Sequence, residues 1–352
     1  MGCNSQQNNH QNASSPLPSY TAGIPATSLG EFEAILENMR TTLNIPGMSV
    51  CIVKNNQVVW ARGFGLVNRE RIQAATAENS YHLASLTKPF AAVLLMQLQE
   101  EGKLHLDDRV SNYGVNLDNA NVTVRHLLSH TSEGNPGSVY KYNGSRYALL
   151  DQVILSSSGK SFCLLLQERI VTPFGLSHTA PDPRIIDNCI LDDAEKIAEF
   201  NAHMAQGYTS SGQIPIFESD HFSPAAGLIS SVLDMAIFSM LMDKNALVSV
   251  ESREEMYRPT ISNSGAELPY GLGWFIDFQE GIKIIWHYGY WDAHSSLIIK
   301  IPERDVTFII LANSNMLSRA ANNLGVDGDV TRSFVAEEFL NAFIFGTAQL
   351  PD

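Results

Sequence analysis

The sequence predicts an α+β protein: one antiparallel sheet built from both ends of the chain, flanked by helices, with a mostly helical domain inserted between its halves. Two observations carry this. β-Branched runs occur early, in "GMSVCIVKNNQVVWARGFG", and again late, in "LGWFIDF", "IKIIWHYG", "SSLIIKI" and "VTFIILAN", separated by short polar turns. Between them the apolar residues recur at helical spacing instead. The expected layout is a tether over residues 1–27, a sheet-bearing domain from 28–104 plus 265–352, and a helical insertion over 105–264.

Each element has a local cause. "SLGEFEAILENMRTTL" places Phe32, Ile35, Leu36 and Met39 on one helical face behind Ser28 as N-cap. The next two β-branched runs surround Asn55-Asn56 and read as a hairpin. In "YHLASLTKPFAAVLLMQLQEEG" the run from Phe90 to Leu98 is apolar almost all round, which predicts a buried helix. Pro89 suits its first turn, where a missing N–H costs nothing, and Gly102 suits its end. "VTVRHLLSH", "YALLDQVIL", "SFCLLLQERIV" and "VLDMAIFSMLM" read as helices of the insertion. The four late strand runs read as a meander, and "SFVAEEFLNAFIF" as a closing helix.

Composition narrows the class of function. At 44% hydrophobic and 17% charged, the 352-residue chain is globular over most of its length. A net charge of −14 excludes nucleic-acid binding, which needs a basic surface to neutralise phosphates. No basic run or 18-residue apolar stretch marks a membrane patch or span. Cys3, Cys51, Cys163 and Cys189 show no zinc-type spacing, and the apolar surroundings of Cys51 and Cys163 predict reduced, buried thiols. The polar start "MGCNSQQNNHQNASSPLPSYTAG" is too poor in apolar residues to fold. Its Gly-Cys pair resembles the mature start of a bacterial lipoprotein. On that reading Cys3 is lipidated and the protein is exported, periplasmic or membrane-anchored; the alternative is a plain tail on a cytoplasmic protein.

Ser85 and Lys88 pose the question of chemistry. Ser-x-x-Lys also occurs at Ser138 and Ser157, so the spacing alone singles out nothing. The distinction of Ser85 is that it opens a buried helix, whose N-terminus offers partial positive charge and free N–H groups to a developing oxyanion. A serine hydroxyl is a poor nucleophile until a neighbour takes its proton. A desolvated lysine has its pKa lowered far enough to do so.

Around that pair, the chain resembles the penicillin-recognising serine hydrolases, in their class C β-lactamase-like branch. The resemblance rests on "ASLTKPF", "VTVRHLLSHTSEG", "YNGSRYALL", "TPFGL", "SPAAGLISSVLDMAIF", "YGLGW" and "WHYGY", in that order over roughly residues 30–345. It implies a β-lactamase/transpeptidase-like fold with Ser85 as nucleophile and Lys88 as its proton-accepting partner. Tyr142 aligns with the family's catalytic tyrosine, held between cations and relaying a proton. His287 stands where the family has the lysine of Lys-Thr-Gly, followed by Gly289. The backbone N–H groups of Ser85 and Tyr290 are then the expected oxyanion hole.

Two departures from the family pattern bear on substrate. Gly144 occupies the place of the asparagine that helps hold a substrate amide, with Asn143 one position away. His287 replaces a lysine and is mostly neutral at pH 7, which weakens the anchor for a substrate carboxylate. Both favour an esterase or D-amino-acid peptidase acting through an acyl-enzyme on Ser85. The alternatives are a β-lactamase or penicillin-binding D-alanyl-D-alanine carboxypeptidase and, from another class, a catalytically silent binding or assembly protein. The expected partner is a small ester, peptide or β-lactam, and no oligomeric state is implied. No cofactor or metal is expected. His126 and His130 sit four apart, but Leu127 stands where a metalloprotease helix needs glutamate. No Gly-x-Ser-x-Gly elbow or phosphate-binding loop occurs.

Overall fold

The computed structural model describes residues 20–185, 188–215, 222–321 and 324–351. The tether and Cys3 lie outside the described residues. The strands are β1 (Gly47–Lys54), β2 (Gln57–Asn68), β3 (Gln73–Ala74), β4 (Ser80–His82), β5 (Ala180–Pro181), β6 (Leu228–Ser231), β7 (Phe275–Gln279), β8 (Ile282–Trp291), β9 (His294–Ile301) and β10 (Val306–Ala312). Seven of them form one antiparallel sheet in the order β3-β2-β1-β10-β9-β8-β7. The late meander therefore joins the early hairpin where β10 pairs with β1, and the sheet draws on both ends of the chain. Asn55 and Asn56 both take positive φ (51° and 57°), as a two-residue hairpin turn requires.

Why β10 reads as a continuous apolar run follows from its place. Every residue from Val306 to Ala312 is buried. Phe308, Ile310 and Ala312 face one core with Phe32, Leu36, Phe339 and Leu340, from the helices Leu29–Thr42 and Phe334–Phe339 and the turn after the latter. Ile309 and Leu311 face the other core with Phe90, Val93, Met235 and Phe238. A strand's side chains alternate between faces, so burying both faces under helices makes all positions apolar. Ser28 caps the first helix by accepting the Glu31 N–H, as its sequence predicts.

The helix Lys88–Glu100 passes through the second core. Its Phe90, fully buried, stacks on Phe238 of helix Val232–Asp243 with ring centroids 3.9 Å apart. Phe90→Ala is expected to cost about 3–5 kcal/mol, since the surrounding helices cannot collapse onto the space. Urea denaturation of the purified variant measures it.

Two differences from the sequence reading stand out. The segment 105–264 carries the strands β5 and β6, which pair with β4 in a small sheet of order β4-β6-β5. At two and four residues they are too short to show a period. They matter because the Leu83 N–H, next to β4, donates to the Leu228 carbonyl at 2.8 Å. Cys163 is not a free thiol: it forms a disulfide with Cys189, while Cys51 is free and buried. An apolar helical setting does not reveal a partner 26 residues away. Among the described residues no single helix is long and apolar enough to cross a membrane.

Candidate active site

Ser85 lies in a tight 3-10 turn, Ala84–Thr87, and the α-helix proper begins at Lys88 with Pro89 in its first turn. The serine therefore precedes the helix rather than opening it. Its side chain caps nothing, which removes the ordinary reason for a serine there. It is half-buried, and every other residue from Tyr81 to Phe90 is buried.

Lys88 is 1% exposed. Its ammonium donates to Ser85 Oγ at 2.9 Å and to the Ala225 carbonyl at 2.9 Å. The described residues place no carboxylate in a salt bridge with it. Burial pulls its pKa from the usual lysine range down to about 7. At neutral pH a large fraction is thus a free amine beside the hydroxyl it would deprotonate.

Tyr142 sits in the loop before the short helix Gly144–Ala148, with its ring against Lys88, the Nζ lying 4.9 Å from the ring centroid. Its hydroxyl is buried beside Ser85 without a hydrogen bond of normal geometry. The expected pair of flanking cations is absent. Burial and then Tyr288 raise the phenol well above its ordinary pKa, against a lowering contribution from Ser85, so it is a neutral proton donor. The His130 ring packs against Tyr142, with centroids 4.2 Å apart and planes tilted by 32°. Its Nδ1 accepts the Asn143 N–H at 3.1 Å. His126 caps its own helix through Thr123, so neither histidine points to a metal.

Asn143 is turned to the protein at both ends of its amide: its Oδ1 caps the helix by accepting the Arg146 N–H, and its Nδ2 donates to Glu133 at 2.7 Å. Gly144 brings backbone alone to the helix start.

His287 is fully buried on β8. Its Nδ1 faces the Tyr288 carbonyl at 2.7 Å, which can only accept, so Nδ1 carries the proton. Nε2 then accepts from the Tyr270 hydroxyl at 2.9 Å. Burial, with Lys88 nearby, holds its pKa well below the usual histidine value. It is therefore a neutral ring with both nitrogens occupied, and it supplies no cation for a substrate carboxylate.

Gly289 shows why this strand carries glycine. A Cβ there would lie 2.0 Å from the Leu83 carbonyl oxygen and 2.2 Å from Ser296 Oγ. That close approach brings β8 against the Ser85 turn, and Ser296 locks it by donating to the Leu83 carbonyl at 2.7 Å. Tyr290 follows directly, its side chain 46% exposed. Sequence reasoning missed Ser296, Tyr270 and the Ala225 carbonyl. Tyr270 lies in a quoted landmark, "YGLGW", but nothing in its spelling couples it to His287; Ala225 contributes only backbone, and no side-chain identity signals that.

Comparison with known proteins identifies the family. Residues 32–327 match the Beta-lactamase family. Protein flp of Staphylococcus aureus is 24% identical over 81% of this chain, which spans 63% of that protein's length. Penicillin-binding protein 4* of Bacillus subtilis is 23% identical, over 75% of this chain and 67% of its own. The octameric penicillin-binding protein homologue from Pyrococcus abyssi superposes with a TM-score of 0.71 at 26% identity, covering 83% of this chain and 76% of that one. The D-alanine carboxypeptidase AmpC from Burkholderia cenocepacia has the same fold, with a TM-score of 0.70 at 18% identity over 88% and 98% of the two chains. A single family model spanning both the sheet and the helical segment, together with these shared folds, places this chain in the Beta-lactamase family.

Proposed function

We propose that this protein is a serine hydrolase that cleaves a modest-sized ester or amide through an acyl-enzyme on Ser85. The carrying observation is the buried amine of Lys88, with its pKa near 7, at 2.9 Å from Ser85 Oγ. Neutral Lys88 takes the hydroxyl proton as Oγ bonds to the substrate carbonyl carbon. The carbonyl oxygen becomes an oxyanion held by the Ser85 and Tyr290 N–H groups. Collapse breaks the bond to the leaving group, which receives a proton from Tyr142, and Lys88 returns its own proton to the phenol. Water then attacks the acyl-enzyme, gives its proton to Lys88, and Ser85 recovers one on release.

Substrate class follows from what the site lacks. Asn143, turned to Glu133 and the helix start, is not aimed at a substrate amide, and His287, neutral and buried, supplies no anchor for a carboxylate next to the scissile bond. Penicillins and D-alanyl-D-alanine ends both carry one, so an ester or a peptide recognised otherwise fits better. The names of the relatives favour a second reading, a penicillin-binding peptidase. Export is the proposed setting, supported by the Cys163–Cys189 disulfide, a bond rare in reducing cytosol.

Intact-protein and peptide mass spectrometry after treatment with a fluorophosphonate probe, an activated ester and benzylpenicillin separates the readings. The expected result is probe on the Ser85 peptide, ester turnover, and neither adduct nor hydrolysed product from benzylpenicillin. A persistent penicilloyl adduct on Ser85 favours the penicillin-binding reading. No labelling and no turnover favours the silent scaffold.

A further inference from the structure

The backbone just ahead of Ser85 is unusual. Ala84 has φ 50°, a left-handed conformation that residues with a Cβ rarely adopt. Its N–H has no place in the ladder of β4 or in the 3-10 turn that follows. It donates instead to Nδ1 of His82 at 3.0 Å. Accepting there puts the ring proton on Nε2, and burial holds the imidazole pKa down at about 4, so the acceptor is neutral across the working range.

His82 is itself held from two sides. Its backbone pairs with Ile229 in the small sheet. Its ring stacks on Trp291, with centroids 5.1 Å apart and planes 21° from parallel. Trp291 ends β8, four residues past His287, and the turn it enters is tied down by Asn315 Nδ2 donating to the Asp292 carbonyl at 2.8 Å. The strand that would supply the oxyanion N–H is thus clamped, through one indole, to the residue that holds the nucleophile turn.

We propose that His82 is a positioning residue: by accepting the Ala84 N–H it fixes the left-handed residue that aims Ser85 between Lys88 and the strand β8. The inference rests on Ser85 being the nucleophile. It adds that the local sequence "YHLAS" works through its histidine, which the Ser-x-x-Lys spacing does not include.

The test compares the parent and three His82 variants hydrolysing one activated ester, as kcat per active site titrated with a fluorophosphonate, with Ser85→Ala measured beside them per total protein. His82→Phe keeps a ring for Trp291 and loses the acceptor; kcat is expected to fall about tenfold to a hundredfold, with KM within about twofold, as small misplacements of reacting groups do. His82→Asn places an oxygen where Nδ1 was and is expected to recover kcat to within about threefold of the parent, on the same geometric ground. His82→Gln, whose oxygen lies one bond farther out, is expected to resemble His82→Phe and covers the case in which the apolar variant does not fold. Ser85→Ala calibrates the underlying reading. If it is inactive while His82→Phe or His82→Gln keeps the parent's kcat, or His82→Asn is no better than either, the His82 role is overturned alone. If Ser85→Ala keeps full activity, the nucleophile reading falls and takes the His82 role with it.

Discussion

Lys88→Met gives a folded protein, more stable than the parent at pH 7, whose kcat/KM falls by about 10²–10⁴ toward the level of Ser85→Ala. Both halves follow from one fact, that Lys88 is buried and its pKa lies near 7. Catalysis uses the neutral amine. Activity of the parent therefore rises with pH through about 7 and levels off above, and methionine abolishes that limb along with the rate. Tyr142 and His287 add no limb beside it, the first held protonated and the second held neutral by burial.

Stability runs through the same group. In the unfolded chain the lysine keeps its ordinary pKa, so between about 7 and 10.5 the unfolded state binds more protons than the folded one. The parent's stability consequently rises with pH across that window, and at pH 7 the burial costs roughly 4 kcal/mol by linkage. Methionine removes this cost and loses the hydrogen bonds to Ser85 Oγ and the Ala225 carbonyl, together about 2 kcal/mol. The net gain is about 2 kcal/mol at pH 7 and falls below zero by about pH 10. Paired urea titrations at the two pH values measure it. A parent whose stability relative to Lys88→Met does not change with pH has a charged Lys88, and the proton-acceptor role is then wrong.

Much of this architecture was written in patterns that a single chain displays. The caps, the Asn-Asn turn and the β-branched runs are local, and each led to the right element. The order of motifs from Ser85 to His287 was also legible, because residue identity at fixed order survives where overall identity does not. What stayed hidden depends on three-dimensional closure. His287 reads as a weakened, mostly neutral anchor for a carboxylate until Tyr270 and the Tyr288 carbonyl are seen on its two nitrogens. Asn143 reads as a spare amide until Glu133 and the helix start are seen to occupy it. Cys163 and Cys189 give no sign of pairing because the chain between them decides their approach. Charge state and engagement, the properties that set substrate choice, belong to the packed site rather than to the string.

Gly289→Ala is the sharpest test of how the sheet and the nucleophile turn are joined. The demand at this position is for space alone, since its φ lies outside the left-handed range. An added methyl would meet the Leu83 carbonyl oxygen at 2.0 Å, and a backbone atom cannot rotate away as a side-chain tip can. Either β8 bows outward from β9, breaking the Gly289–Ser296 register and the bond from Ser318 to the Gly289 carbonyl, or the Leu83–Ser85 turn is pushed off the sheet. Both movements separate the Tyr290 N–H from Ser85. The expected result is a fall in kcat of about 10² or more, with a stability loss of about 1–3 kcal/mol from overpacking. Adding Ser296→Ala removes the hydroxyl at 2.2 Å but leaves the carbonyl in place, so the double variant stays impaired. Titrated-site kinetics of the single and double variants distinguish the two obstacles. Recovery in the double variant would mean that the Ser296 hydroxyl, not the backbone of the turn, sets how closely β8 approaches, and that the oxyanion geometry tolerates a displaced Leu83.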